Sequence, residues 1–428
     1  MRTRTLIVLL ALLVPLLAAG CKKKGGSGNI KGSLSYEARF PKVTGGYLQL
    51  GGLQTLPAVG MLALAVDGDG TLIGYQQLDG DGKYDIDPEV DLSGDETILF
   101  TTMWMPDVEG DRVDLAIAMG PGYTADPGSF QSYPWTWNAD VPKDGDVGDL
   151  TVTEEQGSGA LYLFLFTAAA METVLYDLCG GNESCLQPLA VLWYPGAGWS
   201  CGACYSRQTG QWVGESNPLA FGQSIFVGGE YDGSSAWGFT VILHEFGHYV
   251  AANYSRDDSP GGPHGFGQLI APPFAWSEGW ASFYSVSTFS RWIGEPFAMY
   301  WDIQGGQSLW IDYDGATYFG GDLIRPDPYY GMDQDLDESY VASMLWHLWD
   351  GKDVPEGAGG DDGMALGTGA VLTAVGSERF TQWNRGAQGA DFVDFVDAAI
   401  CGGANLDAMN QTVVNVLGFP YDGQPGCP

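Results

Sequence analysis

The residues with the clearest capacity for chemistry are two histidines that flank a glutamate: His244, Glu245 and His248. On a helix, residues four apart lie on the same face, so both imidazoles can bind one zinc ion. Glu245 lies on the same turn, where its carboxylate can reach a water molecule at the ion rather than the ion itself. The chain has only 4 His, so the spacing is a specific signal for metal-assisted hydrolysis. Two core histidines and a surface glutamate are the structural alternative.

A catalytic zinc ion needs a third protein ligand and one open position. The spacing H-E-x-x-H-x-x-G-x-x-H does not supply it, because Ala251 and Tyr254 occupy the positions of its glycine and third histidine. Glu278 lies in an aromatic segment, where burying a carboxylate is costly unless a metal or another partner compensates its charge. Glu278 is therefore the predicted third ligand. His264, in a loop rich in glycine and proline, is the alternative.

Two histidines from one helix and a glutamate from the next resemble the gluzincin arrangement of thermolysin-like and fungalysin-like peptidases. Residues 278–283 are similar to the fungalysin element E-G-W-S-D-F, and residues 338–346 are similar to that family's G-E-V-W-A-x-x-L-W helix. The resemblance covers residues 235–350 and implies a zincin-like fold, a Zn²⁺ cofactor and a protein or peptide substrate. The family has an aspartate where this chain has Ser282. Because that aspartate steadies a ligand histidine, we expect weaker zinc binding or another acid in its place.

The resemblance implies hydrolysis of peptide bonds, with Glu245 as the general base that takes the proton of the attacking water. A donor must also stabilise the oxyanion that develops on the substrate. Tyr340 and His347, on one predicted helix, are the candidates for this donor, and ordinary packing is the alternative for both. We expect an endopeptidase; an aminopeptidase stays open and would need an acidic site for the free amine. Residues 224–227 are predicted to form the sheet edge along which an extended substrate pairs.

Two groups of aspartates offer oxygen ligands for Ca²⁺. Asp333, Asp335 and Asp337 precede the helix of Tyr340, where helix capping is the favoured role and a calcium site is the alternative. The aspartates of residues 79–87 do not fit the EF-hand spacing, because a tyrosine stands where the loop requires glycine. We therefore predict solvated turns at residues 79–87.

The elements that must position these residues divide the chain near residue 155. Residues 33–155 alternate short apolar segments with turns rich in Gly and Asp, which predicts an antiparallel β-sandwich accessory domain. Its predicted strands are 34–40, 47–50, 60–66, 71–78, 97–103 and 113–119. Residues 156–428 are predicted to form a zincin-like peptidase domain, and the fold class is α+β. Its predicted helices are 161–178, 236–254, 275–288, 338–350 and 391–400, and its predicted strands are 189–194 and 224–228.

Residues 1–20 have the basic start and apolar run of a signal peptide. Cys21 follows Ala-Gly, which resembles the bacterial lipoprotein box, where this cysteine becomes the lipidated N-terminus; ordinary cleavage is the alternative. Residues 21–32 are predicted to contain a flexible tether. The resemblance implies a membrane contact through the lipid anchor at Cys21. It also implies a location in the cell envelope, at the outer membrane of a Gram-negative bacterium, or secretion.

The remaining six cysteines form an even set, which favours disulfides in an exported chain. Their order suggests the pairs Cys179–Cys185, Cys201–Cys204 and Cys401–Cys427. A zinc knot among the four cysteines of residues 179–204 and a redox dithiol at residues 201–204 are the alternatives.

The charge of the chain excludes a nucleic-acid partner. Lys and Arg number 18 against 53 Asp and Glu, for a net charge of −35, so no basic surface can follow a phosphate backbone. The competing function class is a non-catalytic envelope protein that keeps a zinc-binding zincin fold for adhesion or assembly. Glu245 discriminates against it, because a protein that only binds has no chemical need for a general base.

Overall fold

The computed structural model describes residues 28–44, 47–88, 90–106, 112–119, 133–196, 198, 201–207, 223–229, 234–265, 267–304, 307–350 and 363–427. The predicted signal peptide and Cys21 lie outside these residues. The predicted tether is described only from residue 28, and its last residues already belong to the first strand.

Helices occur in the second part of the described chain. They are α1 Gly159–Asp177, α2 Phe239–Tyr254, α3 Pro272–Ile293, α4 Glu338–Trp349, α5 Gly367–Gly376, α6 Glu378–Gln382, α7 Phe392–Cys401 and α8 Leu406–Asn410. Short 3-10 turns cover Glu154–Gln156, Glu183–Cys185 and Ser234–Trp237, and a π-helical turn covers Gln411–Val416. The five helices predicted from the sequence are confirmed as α1 to α4 and α7, with their ends shifted by a few residues.

The strands up to residue 155 are β1 Ile30–Ala38, β2 Pro41–Thr44, β3 Tyr47–Leu50, β4 Gln54–Pro57, β5 Leu62–Val66, β6 Leu72–Gln77, β7 Lys83–Ile86, β8 Thr97–Thr101, β9 Met103–Trp104, β10 Leu115–Met119, β11 Tyr133–Pro134, β12 Thr136–Asp140 and β13 Asp146–Val152. The later strands are β14 Leu189–Leu192, β15 Cys204–Ser206, β16 Ser224–Phe226, β17 Leu269–Ile270, β18 Met299–Gln304, β19 Gln307–Asp312, β20 Thr317–Tyr318, β21 Gly321–Asp322 and β22 Leu336–Asp337. Strands occur at every predicted position, and the mixture of helices with antiparallel sheets confirms the α+β class.

Two four-stranded sheets form most of the N-terminal part. In one, β1 pairs with β13, β4 and β7, and only the β1–β13 pair is parallel. The other has the order β12-β8-β5-β6 and is antiparallel throughout. Leu34, Tyr36 and Ala38 alternate along β1 on its buried face, as expected for a strand with one face in the core.

A third sheet has the order β11-β10-β14-β16-β15, with β9 also paired to β10. Its strand β10 belongs to the predicted accessory domain and pairs in parallel with β14 of the predicted peptidase domain. The sheet therefore spans the predicted boundary near residue 155, and the division into two domains stays a prediction. Strand β16 lies between β14 and β15, so the prediction that residues 224–227 form a sheet edge is wrong. The last described strand on that side is β15.

Helix α1 has the length and hydropathy of a membrane-spanning helix, with a mean hydropathy of 1.5 in its most apolar window. In that window 67% of the residues are buried within the structure. Tyr162 and Phe166 of α1 pack against Trp237 and Phe239, at the start of α2. Burial of this kind is typical of a helix at the centre of a folded core.

Helices α2, α3 and α4 pack closely because glycines lie at their crossings. A Cβ on Gly247 of α2 would lie 2.7 Å from the Cα of Ala281 in α3. A Cβ on Gly279 of α3 would lie 2.6 Å from the Cβ of Val341 in α4. No larger residue fits at either crossing without a shift of a helix. The two glycines thus bring the histidine-bearing face of α2, the middle of α3 and the start of α4 together.

The predicted disulfide pairing is confirmed, with bonds joining Cys179 to Cys185, Cys201 to Cys204 and Cys401 to Cys427. The four cysteines of residues 179–204 are thereby consumed in two disulfides, so they have no thiolates left for the alternative zinc knot.

Candidate metal centre

Helix α2 presents its two histidines on one face, as their spacing predicts. The Nε2 atoms of His244 and His248 lie 3.2 Å apart, and both side chains are about one-eighth exposed. The apolar residues on the same helix, among them Ile242, Leu243 and Phe246, are fully buried. Packing of the apolar face therefore fixes the direction in which the imidazoles point.

Helix α3 adds the carboxylate of Glu278. Its Oε2 lies 3.2 Å from the Nε2 of His244 and 3.2 Å from the Nε2 of His248. Four ligands placed tetrahedrally at zinc–ligand distances of about 2.0–2.1 Å are separated by about 3.3–3.4 Å. The three atoms are thus spaced as ligands of one ion. Among the described residues, one group of three or more His, Cys, Asp and Glu side chains has all its ligand atoms within 4.8 Å of one another, and it consists of His244, His248 and Glu278. The group can hold a metal ion.

Serine hydroxyls contact the Nδ1 atoms of both imidazoles, on the side of each ring away from Nε2. The Nδ1 of His244 lies 2.9 Å from the Oγ of Ser282, and the Nδ1 of His248 lies 3.4 Å from the Oγ of Ser277. An imidazole that binds a metal through Nε2 carries its hydrogen on Nδ1 and donates it to such an acceptor. Ser282 stands where the peptidases that the sequence resembles have an aspartate, and its hydroxyl contacts His244.

The charges of the site favour a ligand carboxylate that is ionised. Burial alone would raise the pKa of Glu278, but the neighbouring imidazoles hold it well below its usual range. Burial alone would lower the pKa of His248, but the Glu278 carboxylate outweighs this effect and raises it to about 9. Without a metal, a proton on the imidazole therefore supplies the positive charge that the buried carboxylate requires.

Glu245 lies beside the ligand group without belonging to it. Only 7% of the residue is exposed. Burial raises the pKa of Glu245, and the two imidazoles partly oppose this shift. The structure thus places next to His244, His248 and Glu278 a second carboxyl group whose basicity is increased, as a general base requires.

His264, the alternative third ligand in the sequence analysis, also lies close to Glu278 in the structure. Its Nε2 lies 3.5 Å from the Oε2 of Glu278 and 3.6 Å from the Oε2 of Glu338. Its Nδ1 donates to the carbonyl oxygen of Gly262 at 3.1 Å, and its ring packs edge-on against Phe274. Burial raises the pKa of Glu338 to about 7, and His264 opposes this shift. The sequence signal for His264 was the scarcity of histidine, since three of the 4 His lie at one site.

Of the two predicted oxyanion donors, Tyr340 has a hydrogen-bond partner elsewhere in the fold, and His347 stays a prediction. The hydroxyl of Tyr340 donates to the carbonyl oxygen of Leu417 at 2.8 Å, so its hydrogen is already used in packing α4. His347 is buried. Burial raises the pKa of Asp312, and His347 is among the groups that oppose this shift. The Tyr340 hydroxyl is therefore not free to donate to a substrate, because the C-terminal segment around Leu417 packs against it.

The predicted calcium ligands are not gathered into one site. Asp337 caps α4 by accepting from the N–H of Ser339, and it also accepts from the N–H of Ile324, whereas Asp333 and Asp335 are exposed. Capping therefore explains Asp337. In the turn of residues 79–82, Asp79 accepts from two backbone N–H groups, as a solvated turn predicts.

No model of a known protein family matches the chain, and no curated protein matches it. We therefore infer a function from the geometry of the site.

Proposed function

We propose that the protein is a zinc-dependent peptidase of the gluzincin type. The observation that carries this proposal is the position of Glu245, a buried carboxyl group beside three side chains that can hold one metal ion. His244, His248 and Glu278 would hold the ion, and their two imidazoles and one carboxylate are a ligand set typical of catalytic zinc. Three protein ligands leave one coordination position open.

When bound, a zinc ion supplies Lewis acidity, which lowers the pKa of water and polarises a carbonyl group. Glu245 takes the proton of the attacking water and passes it to the leaving amine. Ser282 and Ser277 keep the imidazole rings in the orientation that ligation requires.

We also propose that this site belongs to a zincin-like domain of residues 156–428, preceded by a β-sandwich accessory domain of residues 33–155. The protein would be exported and anchored in the cell envelope by a lipid on Cys21. Three disulfides support export, because such bonds persist in oxidising compartments. A non-catalytic envelope protein would not need Glu245, whose burial costs free energy.

The variant Glu245→Gln tests the proposal. Glutamine has nearly the same shape but cannot take a proton, so we expect about one zinc ion per chain and at least about a 100-fold loss of casein hydrolysis. Zinc is measured by mass spectrometry and hydrolysis by the release of free amino groups, which endopeptidase and aminopeptidase cleavage both produce. The matched control is Glu172→Gln, a half-buried glutamate on α1, which should keep both zinc and activity. Equal hydrolysis by wild type and Glu245→Gln would contradict the proposal that the protein is a peptidase with Glu245 as its general base.

A further inference from the structure

Glu338, the first residue of α4, is a buried carboxyl group with one oxygen that has no hydrogen-bond partner in the described part of the chain. Only 6% of the residue is exposed, and its Oε2 has no hydrogen-bond partner among the described groups. The nearby Nε2 of His264 lies at 3.6 Å, beyond hydrogen-bond distance. Burying a carboxylate without a donor is unfavourable, so a donor from outside the chain would complete this position.

The position of Glu338 connects it with the metal ligands. The Nε2 of His264 lies 3.5 Å from the Oε2 of Glu278 and 3.6 Å from the Oε2 of Glu338. The same ring nitrogen is thus close to both carboxyl groups. The His264 side chain is 30% exposed, which gives solvent access to this side of the site. The hydrogen bond from Nδ1 to Gly262 holds the ring in place.

We propose that Glu338 binds the free α-amino group of a peptide substrate, which makes the protein an aminopeptidase. This inference rests on the proposed function. In a substrate cleaved after its first residue, the amino nitrogen is two bonds from the scissile carbonyl carbon, so its binding group must lie beside the metal ligands. An ammonium group offers three N–H donors and a positive charge, and its hydrogen bonds to a carboxylate are charge-assisted.

A second metal ion fits Glu338 less well than an ammonium group. Zinc sites in proteins have three or four protein ligands, and among the described residues only His244, His248 and Glu278 form such a group within 4.8 Å. Glu338 and His264 add two donor atoms. The net charge of −35 also favours the approach of the cationic end of a peptide.

The experiment compares two ligands that chelate zinc identically: leucine hydroxamate and its N-acetylated form. Isothermal titration calorimetry measures their affinities for the zinc-loaded full chain at neutral pH. We expect the free amine to bind about 10- to 100-fold more tightly to wild type. In Glu338→Gln this difference should vanish, because the affinity for leucine hydroxamate falls while the affinity for the N-acetylated form stays unchanged. Glu172→Gln, with an unchanged site, should keep the difference.

The wild-type comparison needs no variant, so a folding defect in Glu338→Gln would not obscure the result. Equal affinities of wild type for the two ligands would overturn the amino-group site and leave the peptidase proposal standing. Failure of both ligands to bind would contradict the zinc centre and the amino-group site together. Two zinc ions per chain, reduced to one in Glu338→Gln, would assign Glu338 to a second ion and overturn the proposal.

Discussion

The Nδ1 of His244 lies 2.9 Å from the Oγ of Ser282, at a position where the sequence led us to expect weaker zinc binding or another acid. A serine hydroxyl accepts the same hydrogen as a carboxylate but carries no charge. It therefore fixes the ring orientation while adding less to the basicity of the ligand than an aspartate would.

Removing this contact should weaken metal binding. In Ser282→Ala the His244 ring loses its orienting acceptor, so we expect zinc affinity to fall about 10- to 100-fold. Competition with a fluorescent zinc chelator measures the affinity. Ser285→Ala is the matched control, because Ser285 is buried on the same helix but donates to the carbonyl oxygen of Thr240 instead. An unchanged affinity in Ser282→Ala would show that the hydroxyl does not support the ligand.

The close approach of α2 and α3 should depend on Gly247. An added Cβ would lie 2.7 Å from the Ala281 Cα and 3.0 Å from its carbonyl oxygen, and neither backbone atom can move alone. Gly247→Ala should therefore destabilise the fold by about 1–3 kcal/mol and weaken zinc binding. Urea unfolding measures the first effect.

The control for Gly247 is Gly369 in α5, where an added Cβ meets nothing within 4 Å. Gly369→Ala should stabilise the protein by up to about 1 kcal/mol through its higher helix propensity. Similar stability of both variants would mean that the helix crossing tolerates a methyl group.

Metal binding should release a proton from His248. The Glu278 carboxylate raises the pKa of this imidazole to about 9 in the metal-free protein, so the ring is protonated at pH 7 and must become neutral to bind a metal. We expect about one proton released per zinc ion at pH 7, and affinity rising about tenfold per pH unit up to pH 9. Calorimetry in buffers of different ionisation enthalpy counts the protons. No proton release at pH 7 would contradict the claim that His248 is protonated before the metal binds and neutral afterwards.

Local patterns predicted that His244, His248 and Glu278 come together, because the information that places them is local. Helical spacing places His244 beside His248, and the cost of burying a carboxylate among aromatic residues marks Glu278. Contacts between residues far apart in the sequence determine the features that local patterns did not predict. The hydroxyl of Tyr340 is used by Leu417, far away in the chain, and β15 covers the strand that was expected to form the sheet edge. His264 reaches Glu278 through a loop whose path no periodic pattern describes.

The zinc content of Glu278→Ala tests the central claim most directly. Wild type and Glu245→Gln should each carry about one zinc ion per chain, measured by mass spectrometry after dialysis against metal-free buffer. Glu278→Ala should lose the ion, because two imidazoles alone do not form a stable site. Zinc retained by Glu278→Ala at the wild-type level would contradict the proposed centre and make His264 the next candidate for the third ligand.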